Sequence, residues 1–87
     1  MDRDEEIAIE EEKPQSMWVI YRYPADYPGF FVARRHEILP NKHHPTEDHY
    51  IHRQLPALRR HVQRLLPGSI LIPRDSKDNP VIVESWL

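Results

Sequence analysis

Between Met17 and Tyr23 the chain reads MWVIYRY. Aromatic and β-branched residues suit a pleated, half-buried surface, so this run predicts a first strand. The PADYPG segment that follows predicts a chain reversal. Its prolines fix φ and withdraw a ladder donor, while Gly29 tolerates positive φ. Phe30 to Ile38 then reads as a second strand, paired antiparallel with the first. Alternation puts Phe30, Val32, Arg34 and His36 on one face and Phe31, Ala33 and Arg35 on the other. Phe30 and Val32 are the residues expected in the core.

Pro40 to Asp48, PNKHHPTED, is polar with two prolines and is read as a loop. A short strand is expected over His49 to Arg53. The clearest helix runs from Leu55 to Leu66, because Leu55, Leu58, Val62, Leu65 and Leu66 fall in one sector, opposite Arg60, Gln63 and Arg64. Pro56 would cost about 3 kcal/mol inside a longer helix but nothing in the first turn of a new one. Pro67 and Gly68 close the helix. Ile70 to Pro73 and Val81 to Trp86 supply two more strands, joined by the loop Arg74 to Pro80. The expected fold is α+β, an antiparallel sheet of about four or five strands packed on one helix, with the second sheet face unassigned.

A chain of 87 residues holds one small domain, and 39% hydrophobic residues with 30% charged and nine prolines predict a thin core. With no cysteine, disulfides, thiolate zinc sites and cysteine nucleophiles are excluded. No apolar run approaches the roughly 18 residues of a membrane span, and an acidic start differs from a basic secretory leader. The chain is therefore read as soluble and cytoplasmic. Its net charge of −2 is unevenly spread: residues 1–13 hold seven acids against Arg3 and Lys13, while the remainder has ten Lys and Arg against seven acids. Residues 1–15 are read as a disordered acidic tail and 16–87 as the single domain.

His43, His44, His49 and His52, with Glu47 and Asp48, form the densest group of metal-compatible side chains. A strand throws His49 and His52 to opposite faces, so no metal site is expected. Six histidines would raise the surface charge on mild acidification without constituting a switch. No phosphate loop, GxSxG elbow or paired carboxylates with a reason to meet are present, so neither catalysis nor a cofactor is expected. Glu84, within the apolar VIVESW, is expected to pair across the sheet with Arg22, Arg34 or Arg35.

Two stretches, WVIYRYPADYPGFFVARR and RDSKDNPVIVESW, resemble small uncharacterised bacterial proteins of similar size, with a W-V-I-Y-R-x-P-x-D-Y-P-G start and a D-x-P-V-I-V-E-x-W end. The likeness covers most of residues 17–87 and implies no activity, cofactor or catalytic residue. The acidic leader and the histidine-rich segment depart from it.

One helix cannot cover both faces of so aromatic a sheet. The expected function is a non-enzymatic interaction domain that binds a protein partner, or a second copy of itself, through an exposed aromatic sheet face. Tyr21, Phe31, Arg34, Arg35, Arg59, Arg60 and Arg64 are the expected contact residues. The alternative is a nucleic-acid surface, with the arginines on phosphates and the rings on bases.

Overall fold

A computed structural model describes residues 15–87 of the chain. The expected disordered acidic tail lies outside the described residues, apart from Gln15, which opens the first strand. The strands are β1 (Gln15–Arg22), β2 (Phe31–Leu39), β3 (Lys42–His52), β4 (Leu71–Pro73) and β5 (Ile82–Trp86), with one helix, α1 (Leu55–Leu65), between β3 and β4. They form one antiparallel sheet of five strands in the order β3-β2-β1-β5-β4. The α+β architecture is the one that the hydrophobic pattern predicts. The chain runs a β1-β2-β3 meander, passes through α1, and returns as a β4-β5 hairpin on the far side of β1.

Local chemistry sets the turns. Tyr27, Pro28, Gly29 and Phe30 make a tight reversal closed by the Phe30 N–H on the Tyr27 carbonyl, with Gly29 at φ +83°. Proline at the second position and a positive-φ glycine at the third define a type II turn. At the helix start Gln54 is extended and contributes no side-chain cap, while Pro56 sits in the first turn, where its missing N–H costs nothing. At the far end the Leu66 N–H caps Val62, and Gly68 turns the chain at φ +78°.

Register sorts the side chains onto two faces. Trp18 and Arg35, Ile20 and Ala33, and Arg22 and Phe31 lie opposite one another on the helix side. There Trp18, Ile20, Ala33, Leu58, Val62 and Trp86 form the core, with Phe31, Leu55, Leu66 and Val83 packed around it. Of the two residues expected in the core from this strand, Val32 is buried, at 2% exposed, while Phe30 is only half-buried. Ala33 and Phe31 meet the helix, Val32 is buried on the opposite face, and Phe30 precedes the strand. A period of two identifies the two faces, but the layer that crosses the sheet decides which one is covered.

The expected loop Pro40–Asp48 is also corrected. Only Pro40 and Asn41 lie between the strands, and β3 runs unbroken through the polar KHHPTED segment. β3 is an outer strand, so its ladder with β2 comes from main-chain groups and its side chains need not be apolar. Pro45 sits beside a register shift opposite Arg34 to His36, the kind of edge position that tolerates proline.

Candidate functional site

The expected contact residues are distributed over four places. Arg34 and Tyr21 lie on the open face, away from the helix, and the Arg34 guanidinium donates through Nη1 to the Thr46 carbonyl at 2.8 Å. Arg35 points to the helix side, where Nε donates to Asp48 Oδ2 at 2.7 Å and Nη1 lies 3.4 Å from Glu37 Oε1. Its pKa is pushed further up, chiefly by the bond to Asp48. Phe31 is half-buried against the core with the Tyr23 ring 5.3 Å away. The arginines do not form one stripe.

Arg59, half-exposed, is committed to a buried carboxylate. Its Nε and Nη2 donate to Glu84 Oε2 and Oε1 at 2.9 and 2.6 Å, and the Trp86 indole N–H donates to Glu84 Oε2 at 2.8 Å. Glu84 is thus a buried carboxylate with three donors, and the bond raises the Arg59 pKa. The expected partners Arg22, Arg34 and Arg35 are replaced by an arginine from the helix layer.

Arg60 and Arg64 remain together. With Tyr50, Ile51, His52 and His61 they line a groove of about 370 Å³ between α1 and β3. The His61 ring meets Tyr50 edge-on with centroids 4.3 Å apart, and the other neighbour of Tyr50 is Trp18 at 5.6 Å. Among the described residues, His61 Nε2 and Ser69 Oγ are the buried side-chain polar atoms that lack a hydrogen-bond partner. His61 did not stand out in sequence, because a histidine within a helical stripe reads as ordinary packing.

The histidines of β3 separate as strand alternation requires. His43 meets His36 on the open face, His49 Nε2 meets the Tyr27 hydroxyl at 2.9 Å, His44 lies 3.3 Å from Glu37, and His52 Nδ1 accepts the Gln54 N–H at 2.8 Å. Among the described residues no group of three or more His, Asp or Glu is placed to hold a metal ion. The open face instead carries a relay: Tyr21 Oη and His36 Nε2 are 2.9 Å apart, and His36 Nδ1 and His43 Nε2 are also 2.9 Å apart. His36 is only 8% exposed, and burial, then the charges of His43, Arg34 and His44, lowers its pKa to about 4. Burial also raises the Tyr21 pKa. A neutral imidazole has one donor and one acceptor nitrogen, so the relay is satisfied in either direction with His36 uncharged.

The aromatic residues do not form one exposed sheet face. Trp18 and Trp86 are buried on the helix side, and Tyr21 and Tyr27 are half-buried on the open side. What is exposed there is aliphatic. Ile70 pairs with Leu87 through both main-chain bonds, and Ile72 lies opposite Ser85, which lies opposite Val19. Ile70 is 70% exposed and Ile72 40%, while Leu71, opposite Trp86, lies on the helix face at 39%. The β4 edge of this face is therefore aliphatic, while the β2-β3 side mixes Arg34, His36, His43 and His49 with Val32 and Ile51.

No family model matches the chain, and neither the curated proteins nor the solved structures contain a match. Among the described residues no helix is long and apolar enough to cross a membrane.

Proposed function

We propose that the protein is a non-enzymatic interaction domain that associates with a second copy of itself through β4 and the exposed isoleucines, Ile70 and Ile72, at that edge of the open sheet face. The observation that carries this reading is the outer position of β4 with Ile70, Leu71 and Ile72 all exposed. Exposed apolar strand edges are templates for pairing with another chain. Because Ile70 uses both of its main-chain groups on Leu87, alternation turns the N–H and C=O of Leu71 outward. Two copies related by a two-fold axis at Leu71 exchange those groups reciprocally and set Ile70 of one against Ile72 of the other. Such an interface is self-complementary and closes on itself. Pro73 stops the pairing after a few residues, which favours a discrete dimer over a growing fibre.

Sedimentation of the full chain over a range of concentrations tests the proposal. A reversible dimer that hardly responds to salt is expected. Leu71→Pro removes an outward N–H without touching the ladder to β5, and it should abolish the dimer while leaving the melting temperature of the monomer nearly unchanged. A chain that sediments as a monomer at every concentration would sink the reading. A heterologous partner held on Ile70 and Ile72 would replace self-pairing in that case.

A further inference from the structure

We infer that the groove between α1 and β3 receives an acidic peptide in extended conformation, which pairs with β3 as an additional strand and sets its carboxylates against Arg60 and Arg64. This site is at the opposite edge of the sheet from β4 and does not depend on self-association.

The first argument is the edge itself. β3 is the other outer strand and is eleven residues long, so alternate residues turn their N–H and C=O groups away from β2. Natural edges are usually blunted with charged side chains, lysine above all, with proline or with bulges. β3 has Lys42 and Pro45 in its first half, then Glu47 and Asp48 beside the register shift, with Asp48 held by Arg35, so the stretch free of lysine, proline and carboxylate is His49 to His52. That open end includes Tyr50, Ile51 and His52, where the groove begins.

The second argument is charge and spacing. Arg60 and Arg64 are both exposed, and among the described residues neither has a carboxylate partner, whereas Arg35 and Arg59 do. They sit one turn apart on the helix, a rise of about 6 Å. Alternate side chains of an extended peptide repeat every 7 Å or so. A peptide with acids at alternate positions therefore presents carboxylates at the interval of the guanidiniums, and its main chain is held by β3. Guanidinium forks suit carboxylates geometrically. The His61 ring, edge-on to Tyr50, forms part of the wall of the same groove.

A nucleic acid fits less well. Tyr50 is the exposed ring at the groove, and it is already flanked by Trp18 and by the edge of His61, so it offers no clear platform for a base. Two guanidiniums one turn apart are few for a phosphate track, and Arg34, Arg35 and Arg59 are turned elsewhere.

The test uses the isotope-labelled full chain with three probes: a short peptide of alternating glutamate and valine, one of alternating lysine and valine, and oligothymidylate. The acidic peptide should move the amide resonances of Tyr50 to His52 and of Ala57 to Arg64 and leave those of β4 unmoved. The double variant Arg60→Glu, Arg64→Glu should weaken that binding at least tenfold while the melting temperature and the self-association hold. If the reversal unfolds the chain, Arg60→Gln with Arg64→Gln makes the same comparison, with a loss of about threefold. Absence of response to the acidic peptide, an equal response to the basic one, or tighter binding of oligothymidylate at the same amides would each overturn the inference.

Discussion

Arg59 of α1 and Glu84 of β5 are joined by two hydrogen bonds, 2.9 and 2.6 Å long, that tie the helix to the sheet across the core. The carboxylate is 3% exposed, while the Arg59 side chain keeps 39% of its surface in solvent. Removing the arginine strands a buried charge with only the Trp86 indole N–H to compensate it. Uncompensated buried charges cost several kcal/mol, and the solvent around Arg59 moderates the loss. Arg59→Met should therefore destabilise the protein by about 2 to 3 kcal/mol in urea unfolding. Glu84→Gln, which keeps an acceptor for Trp86, should cost about half as much. Equal, negligible effects would mean that the pair is incidental.

His36 makes stability depend on pH. Its folded pKa is about 4, below the ordinary histidine value of 6.5, so the folded state resists a proton that the unfolded chain accepts. The unfolded state therefore binds more protons between these values, and stability rises with pH across that window. The contribution is complete above about pH 6.5 and is lost as pH falls toward 4, amounting to at most about 3 kcal/mol. Tyr21 and His43 bond the ring, Arg34 and His44 act on it as further charges, and none supplies an anion to hold the imidazolium. Comparing His36→Gln with the parent at pH 7 and 4.5 isolates the histidine from the carboxylates that titrate nearby. The stability gap should narrow on acidification. In parallel, the His36 ring resonances should stay unshifted until well below pH 6, and an ordinary titration would contradict the assignment.

The sequence made the helix legible because two independent signals coincide at α1: the stripe through Leu58 and Val62, and Pro56 at the one place in a helix where proline is harmless. β1, β2, β4 and β5 carry β-branched or aromatic runs and were equally visible. The first half of β3 was not, since main-chain pairing to β2 leaves no hydrophobic period in KHHPTED. Contacts between layers were hidden for a different reason. Glu84 stood out as an acid in an apolar strand, but its partner 25 residues away is selected by how α1 crosses the sheet, which no local spacing encodes. The His36 relay likewise depends on the register shift in β3, which brings Pro45 opposite His36 and His43 opposite Ile38. The aromatic count does not say where each ring goes: the tryptophans lie under the helix, Tyr23 and Tyr50 are exposed, and the other large exposed apolar residues are aliphatic.

Gly68 should be replaceable only at a backbone cost. At φ +78° it occupies the left-handed region, and an added Cβ meets no atom within 4 Å. The penalty is therefore conformational and not steric crowding. Gly68→Ala should lose about 1 kcal/mol and Gly68→Asn less, because asparagine tolerates this region. Thermal denaturation of the two variants measures the difference, and equal losses would point to a contact in place of backbone strain.

Two isoleucines separate folding from recognition. Ile20 is 0% exposed beneath α1, whereas Ile70 is 70% exposed on the β4 edge. Truncating Ile20 removes buried methyl groups and leaves a cavity among Trp18, Ala33, Leu58 and Trp86, at a cost of about 3 kcal/mol. Ile70 gives up its hydrophobic contribution to solvent already, so Ile70→Ser should alter monomer stability by about 0.5 kcal/mol or less. If Ile70 serves self-association, the same substitution should weaken the dimer at least tenfold. Urea unfolding at low concentration and sedimentation at high concentration, run on both variants, should therefore give opposite rankings: Ile20→Ala severe in the first, Ile70→Ser severe in the second. An Ile70→Ser chain that associates like the parent would show that its exposure has no role in pairing.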